Sequence, residues 1–418
     1  MVNFSSFTAA VAAASFLSAV VAHPGEHHEH AQVKREVEIR DNLASKAARS
    51  LGKCAGTVKA RALEQRAIAR RAATAERLRA ARGIAAPNRP YIHRRDLATL
   101  EEFETVNHNM TGLVSSSDPS TLFSANTSCI LTPEVTIGPY YVLGELVRQN
   151  VTEGQPGVPV HLEMQFIDTN TCEPVPSLLI DIWAANSTGV YSGIDTSEGQ
   201  GGLNSTYMRG LQSTGTDGVA EFDTIFPSHY EGRAIHQHVV VHTNTTLLSN
   251  GSYAGGTVAH IGQLFFDESL RSAVEATYPY NTNTQSVTSN DDDMWAPGQA
   301  DNDYDPFPEF VYLSEDITDG LLMWISIGID ATANRSANVS YAAYLAADGG
   351  HDNPNASQFG GGGAGGNGTF NGTMPNGTVP SGGVPSSAAV PQASSAAAAK
   401  RSAYTLRKLF SGAARRVF

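Results

Sequence analysis

The sequence predicts a mainly β domain, with a basic helical segment before it and a flexible tail after it. Between residues 125 and 350 helical periodicity fades, and short apolar runs follow one another, separated by Gly, Pro, Asn and Asp. Several runs alternate apolar and polar residues with a period of two, which is typical of antiparallel strands with one buried face. Many short strands with turn-rich links indicate a β-sandwich or a β-barrel.

The first 22 residues predict a secretory signal peptide. Residues 7–22 are apolar or small and carry no charge, and VVA precedes His23 as a small-residue cleavage site. This run is too short for a comfortable transmembrane helix, and no later segment is long and apolar enough to span a membrane. We therefore expect a secreted, extracellular protein without a membrane span.

Residues 23–100 form a basic, helix-prone arm. Residues 1–95 hold 17 Lys and Arg against 7 Asp and Glu, so the rest of the chain has a net charge of −23. That acidic remainder argues against nucleic acid as a partner. Dibasic pairs occur at Lys34-Arg35, Arg70-Arg71 and Arg94-Arg95. The segment is therefore either a pro-segment trimmed at such pairs or a retained arm, through which a homodimer could form.

The predicted β domain spans residues 101–350, and a tail covers residues 351–418. The strand-like runs are VPVHLEMQFID, LLIDIWAA, VAEFDTIF, IHQHVVVH, IGQLFF and LLMWISIGID, and SLRSAVEATYPYN predicts a short helix. The tail is rich in Gly, Asn, Ser and Ala and cannot bury a core, so we expect it to be disordered and flexible.

Glycosylation sequons and cysteines agree with secretion. Thirteen N-x-S/T sequons follow the signal peptide, and we expect the one at Asn186 to be buried and unglycosylated. Three cysteines allow one disulfide. Cys129 and Cys172 both flank strand-like runs and are the preferred pair. Cys54, in the basic segment, would then be free or lost on processing.

The stretch RAIHQHVVVH carries alternating histidines. In an extended strand His236 and His238 share a face about 7 Å apart, which lets two imidazoles converge on one metal. An H-x-H pair alone is more typical of an ordinary surface or core histidine pair than of a metal site. His242 lies two rungs further along and is predicted to be a neighbour, not a ligand.

Two tyrosines change the interpretation of that pair. Tyr191 closes the run DIWAANSTGVYSG, and Tyr230 lies six residues before His236. Phenolate oxygens with imidazole nitrogens suit a hard ferric ion, and ligation removes the phenol proton. Arg233 lies just before the two histidines in the sequence, and Gln263 lies downstream of them. The joint pattern, more than any single residue, predicts an iron site.

The order GVYSG, HYEGR and R-x-x-H-x-H resembles the intradiol ring-cleaving dioxygenases, most closely their secreted fungal branch related to the protocatechuate 3,4-dioxygenase β-subunit. The segments LTPEVTIGPYYVLGELVRQ and NTCEPVPSLLIDIWAANSTGVYSG extend the resemblance over roughly residues 125–350. It implies a β-sandwich core and an Fe(III) cofactor. It also implies O2-dependent cleavage of catechol-type aromatics between the two hydroxylated carbons, which gives muconate-type diacids.

The resemblance also implies individual roles. Tyr191 and His236 would be equatorial iron ligands, and Tyr230 and His238 would be axial ligands. Tyr230 would leave the metal when a catechol binds and accept one of its protons. Arg233 would offset charge on the substrate ring, and Gln263 would assist the second half-reaction. The residues expected near the substrate mouth are Gly138, Pro139, Tyr140 and Tyr141.

Two departures from the family pattern affect this interpretation. Ala184 follows Trp183, where relatives commonly carry histidine, so we expect altered pocket packing. Only five residues separate Tyr230 from His236, which predicts a more open site. The alternatives are a non-catalytic metal- or phenol-binding protein and a cell-wall glycoprotein. The run Asp291–Asp293 resembles a cation site, but we expect a solvated acidic loop.

Overall fold

The structure is a computed structural model that describes residues 54, 57–84, 108–110, 123, 137–249, 251–297 and 305–354. The predicted signal peptide, Cys129, the dibasic pairs Lys34-Arg35 and Arg94-Arg95, and the tail from residue 355 onward lie outside these residues. Two α-helices are described, α1 (Val58–Arg82) and α2 (Glu268–Glu275). The strands are β1 (Val142–Leu143), β2 (Pro159–Asp168), β3 (Leu179–Trp183), β4 (Arg209–Ser213), β5 (Val219–Ile225), β6 (His236–Leu247), β7 (Tyr253–Phe265), β8 (Glu309–Tyr312), β9 (Leu321–Ile329), β10 (Ala343–Ala346) and β11 (Gly349–Asp352).

Two four-stranded sheets face each other across the main core. Sheet I has the strand order β5-β2-β9-β8, and sheet II has the order β4-β3-β6-β7. Phe166 and Ile325 of sheet I pack in one buried cluster with Ile180 and Val239 of sheet II. The predicted mainly β fold with a sandwich core is confirmed.

One pairing within the sandwich is parallel. Strand β2 runs parallel to β9, from Val160 opposite Leu321 to Asp168 opposite Ile329, whereas the other pairings in both sheets are antiparallel. Alternation of apolar and polar residues shows which face of a strand is buried, but it does not show the direction of the neighbouring strand. The sequence therefore could not predict this parallel pair.

Helix α1 covers the outer face of sheet I. Its N-terminus is capped by Thr57, whose hydroxyl accepts a bond from the backbone N of Ala60, and its C-cap Gly83 has a φ of 68°. Ile68 and Leu78 pack against Trp324 on β9. The arm is thus helical where it is described, and its apolar residues pack within the chain. Dimerisation through this arm stays a prediction.

The disulfide joins Cys54 to Cys172, with 5.4 Å between the α-carbons. The prediction that Cys129 pairs with Cys172 is therefore wrong. Cys172 lies in the turn after β2, and the docking of α1 onto sheet I brings Cys54 to that turn. Proximity to strand-like runs carried no information about where the helix docks, so the sequence pointed to the wrong cysteine.

A third, small sheet covers part of the outer face of sheet II. It has the order β1-β10-β11, and its last strand ends at Asp352. Tyr141 and Ala343 from this layer pack in a second buried cluster with Val240 and Ile261 of sheet II. The candidate site lies between this layer and sheet II.

Helix α2 confirms the short helix predicted around residue 270, and it ends before Pro279. Within the described residues, neither helix combines the length and the apolar character needed to cross a membrane.

Candidate metal centre

The start of β6 and two loops bring the four predicted ligands together. His236 and His238 alternate on one face of β6, Tyr191 lies in the loop after β3, and Tyr230 lies in the loop before β6. Each of the four residues is at most 4% exposed. The sequence therefore predicted a set of residues that the fold places at one buried position.

The four donor atoms form a close series. Tyr191 Oη lies 3.4 Å from Tyr230 Oη, which lies 3.3 Å from His236 Nε2. His236 Nε2 lies 3.0 Å from His238 Nε2. Bonds from a metal ion to nitrogen and oxygen ligands are about 2 Å long, which puts neighbouring ligand atoms about 3 Å apart. The spacing of these atoms fits one metal ion.

The orientations of both imidazole rings are fixed by their neighbours. His236 Nδ1 lies 2.7 Å from the carbonyl oxygen of Ala234. A carbonyl only accepts, so Nδ1 carries the proton and Nε2 presents a lone pair toward the site. The ring of His238 stacks on Trp183, with centroids 4.5 Å apart and planes 4° apart. Such outer contacts orient metal ligands.

Burial keeps the two phenols protonated unless a cation binds beside them. Burial raises the pKa of Tyr191 to about 12. Burial, followed by the neighbouring Tyr191, raises the pKa of Tyr230 well above its usual value of 10.0. A trivalent ion would reverse this preference, because its charge favours the phenolate. Two phenol oxygens and two imidazole nitrogens suit Fe(III), so the residues fit the implied cofactor.

Arg209 holds the segment that carries Tyr191. Its Nε and Nη2 donate to the carbonyl oxygen of Ser192 at 3.0 and 2.7 Å. Its guanidinium carbon lies 6.0 Å from the centroid of the Tyr191 ring, in cation–π range. Sequence reasoning missed Arg209, because its position opposite Trp183 follows only from the β3–β4 register.

Arg233 and Gln263 lie beside the four donor residues. Gln263 on β7 is opposite His238 on β6, and its Oε1 accepts a 2.6 Å hydrogen bond from Arg233 Nη2. Arg233 Nε donates to Asp293 Oδ2 at 2.7 Å, and both side chains are fully buried. The expectation of a solvated loop is therefore wrong for Asp293, because it pairs with a buried arginine. Asp291 and Asp292 are exposed.

The loop after α2 closes over the segments that carry the tyrosines. Asn283 Nδ2 donates to the carbonyl oxygen of His229 at 2.7 Å, and Gln285 Nε2 donates to that of Gly189 at 3.3 Å. These contacts join residues 54 and 96 positions apart, and sequence spacing gives no sign of them. The more open site predicted from the short link between Tyr230 and His236 stays a prediction.

The remaining predicted residues occupy different surroundings. The ring of Tyr140 lies 4.9 Å from that of Tyr191, whereas Tyr141 turns its hydroxyl toward Asp181 at 3.1 Å. His242 lies away from the donor atoms, with Nε2 3.7 Å from Asp181 Oδ2. Ala184 packs with Met208 and Ile225. Only Tyr140 of the aromatic pair is thus placed against a predicted ligand.

A comparison with protein families shows which part of the chain resembles a known family. Residues 137–247 match the family model described as Dioxygenase. Over these residues the chain is similar to that family. Its segment is 33% identical over 106 residues to catechol 1,2-dioxygenase 1 of Acinetobacter lwoffii, which is 24% of this chain and 32% of that enzyme. The chain therefore matches about a third of the length of this curated relative.

Several solved structures are similar to about half of this chain. An intradiol ring-cleavage dioxygenase from Tetranychus urticae is 29% identical, covers 49% of this chain and 97% of its own, and gives a TM-score of 0.41. The dioxygenase domain of a carbohydrate-binding fusion protein from Streptomyces is 23% identical, covers 48% and 98%, and gives a TM-score of 0.32. Both TM-scores are below 0.5, so these two structures add nothing to the match of residues 137–247 to the Dioxygenase family model.

Proposed function

We propose that this chain is a secreted Fe(III) intradiol dioxygenase that uses O2 to cleave catechol-type aromatics between their hydroxylated carbons. The observation that carries the proposal is the convergence of two phenol oxygens and two imidazole nitrogens at one buried position, with neighbours 3.0–3.4 Å apart. Tyr191, Tyr230, His236 and His238 would hold the iron.

The chain's own residues supply the surroundings that this chemistry needs. When bound, ferric iron would act as a Lewis acid that a catechol chelates through its two oxygens, and it would make the ring reactive toward O2. Tyr230 would accept a proton of the catechol at Oη. Arg233 would offset negative charge on the ring, and its charge acts strongly because the buried site excludes water. Gln263 would fix the guanidinium through its 2.6 Å hydrogen bond.

Secretion and glycosylation are part of the proposal. The Cys54–Cys172 disulfide suits an oxidising compartment. Asn186 is only 9% exposed, and its Nδ2 donates to Gln155 Oε1 at 3.0 Å, which agrees with an unmodified side chain. The exposed sequons within the described residues include those at Asn150, Asn204, Asn244, Asn334 and Asn338. Release of glycans from the protein collected in culture medium would test this part.

The iron assignment is tested by colour. Iron-loaded full-length protein should be red-brown, because phenolate-to-iron charge transfer absorbs visible light. Tyr191→Phe and Tyr230→Phe should each weaken or shift this absorption, while Tyr278→Phe, at an exposed tyrosine, should leave it unchanged. A colourless iron-loaded protein, or a spectrum insensitive to both site variants, would contradict the assignment.

Turnover is tested by oxygen uptake with a panel of catechols. The expected product is a diacid that contains both atoms of ¹⁸O2, as read by mass spectrometry. The rival is a non-catalytic phenol-binding protein, which the unusual Ala184 motivates. That protein would show a spectral shift on adding catechol without consuming oxygen.

A further inference from the structure

We propose that Asp293 is a positioning residue that holds Arg233 in the orientation needed for ring cleavage. The inference rests on the proposed function and adds to it a residue from the acidic run SNDDDMW. Asp293 is one of three consecutive aspartates, but it alone is buried, with its side chain fully covered against Arg233.

The carboxylate of Asp293 accepts from several donors at once. Oδ2 accepts from Arg233 Nε at 2.7 Å and from the backbone N of Ala234 at 2.8 Å. Oδ1 accepts from the backbone N of Trp295 at 2.8 Å and that of Ala296 at 3.0 Å, and it lies 3.4 Å from Arg233 Nη2. Within the described part of the chain, both oxygens therefore face only N–H groups.

This arrangement requires a side chain that accepts hydrogen bonds at both of its terminal atoms. An ionised carboxylate accepts at both oxygens, whereas an asparagine amide must turn its NH2 group toward one of the two sets of N–H donors. Removing the negative charge would also leave the Arg233 guanidinium buried without its main counter-charge. Asp293 thereby fixes both the direction of the guanidinium and the charge around it.

The hydrogen bonds of Asp293 indicate that it affects the chemical step more than substrate binding. Among the residues that the structure describes, the carboxylate bonds Arg233 and backbone groups, and none of its hydrogen bonds goes to a proposed iron ligand side chain. Arg233 would matter most as negative charge grows on the substrate ring. A misplaced guanidinium should therefore lower kcat while iron binding and catechol binding persist.

The test compares Asp293→Asn with Asp291→Asn in the iron-loaded full-length protein. Asp291 is an exposed aspartate two residues away, so its substitution makes the same charge change outside the site. We expect Asp293→Asn to lower kcat for oxygen uptake roughly ten- to hundredfold, which is less than the roughly hundred- to thousandfold cost of losing a charge-stabilising donor outright, because Arg233 itself is retained. The charge-transfer spectrum should persist, anaerobic catechol affinity should change less than about threefold, and Asp291→Asn should match the wild type within about twofold.

A double-substitution cycle separates positioning from a structural role. If Asp293 acts through Arg233, adding Asp293→Asn to Arg233→Gln should change kcat by less than about twofold. Losses that multiply in the double variant would overturn the proposal, as would a kcat for Asp293→Asn equal to that of the wild type. If Asp293→Asn fails to fold, Asp293→Glu keeps the charge but moves it by one methylene. That variant should retain the spectrum with a lower kcat, and a wild-type kcat would overturn the proposal.

The same measurements separate this inference from the proposed function. A wild-type protein that consumes no oxygen with any catechol overturns both. A wild-type protein that turns over, together with an equally active Asp293→Asn variant, overturns only the role of Asp293.

Discussion

At the scale of single residues, the four donor side chains depend on neighbours that do not face the metal position. The indole of Trp183 lies parallel to the His238 ring, and the carbonyl of Ala234 sets the tautomer of His236. Metal ligands without such support sample more orientations, and binding must then overcome the entropy of ordering them. The geometry of the site therefore depends on the residues around the candidate ligands as much as on the candidate ligands themselves.

Replacing Trp183 with leucine should weaken iron binding. We expect the iron affinity of Trp183→Leu to fall about tenfold or more, because His238 loses the flat surface that fixes its plane. Chelator competition measures this affinity. The control is Trp183→Phe, which keeps an aromatic ring in the stack and should retain most of the affinity. Equal iron affinities for the leucine and phenylalanine variants would show that stacking does not orient His238.

Residue patterns identified the candidate ligands but missed the residues that support them. Tyr191, Tyr230, His236 and His238 are chemically distinctive, and their order along the chain points to a ferric site. Asp293 looked like a solvated acid because charged residues are usually exposed. Its burial depends on Arg233, which meets it only after the loop folds against the start of β6.

At the scale of elements, helix α1 is attached to sheet I by a buried charge pair. Arg71 is 2% exposed and its Nε donates to Glu163 Oε1 at 2.8 Å, while Arg70 Nε donates to Oε2 at 2.8 Å. The Arg71 guanidinium also lies 5.3 Å from the Trp324 ring centroid. Helix α1 is rich in basic residues, and two of its arginine side chains thus pair with one buried carboxylate on β2.

Removing the acid should destabilise the protein. Glu163→Gln leaves the buried Arg71 charge without its partner, so we expect a loss of about 3 kcal/mol in the free energy of unfolding. Urea denaturation measures the loss. The control is Arg66→Ala, which removes a largely exposed ion pair with Asp217 and should cost less than about 1 kcal/mol. A loss for Glu163→Gln as small as that of the control would contradict the prediction.

The same acid should make stability depend on pH. Burial alone raises the pKa of Glu163, but the charges of Arg71 and Arg70 outweigh burial and lower it below the usual 4.5. The stabilisation is therefore fully present above 4.5 and is lost as the pH falls through the lower folded value. The difference in unfolding free energy between wild type and Glu163→Gln should shrink on acidification. A difference that stays constant through this window would show that Glu163 does not titrate with folding.

At the scale of the whole molecule, one disulfide ties the arm to the domain. Cys54 and Cys172 are 118 residues apart in sequence, so their bond closes a long loop that includes helix α1 and β2. A cross-link over such a distance removes many conformations from the unfolded chain. The arm and the domain should therefore unfold together while the disulfide is intact.

Breaking the disulfide should lower the stability of the whole unit. We expect Cys54→Ser to lose about 5 kcal/mol in the free energy of unfolding, which is the chain-entropy value for a loop of this length. Urea denaturation under oxidising conditions measures it, and Cys129→Ser should leave the stability unchanged. Mass spectrometry of a non-reduced digest should find a linked peptide that contains Cys54 and Cys172. A peptide linking Cys129 to Cys172 would contradict the pairing.

The sequence by itself determined the strand-rich class, the helical arm, the short helix α2 and the identity of the four candidate ligands. The elements follow from the periodicity of residues that are close in the sequence, and the candidate ligands follow from the chemistry of their side chains. Both can be inferred without knowing how the chain packs. Only the tertiary structure decided the parallel pairing of β2 with β9, the partner of Cys172 and the burial of Asp293. Each of these joins segments distant in sequence, and their contact depends on how the sheets, the helix and the loops pack together.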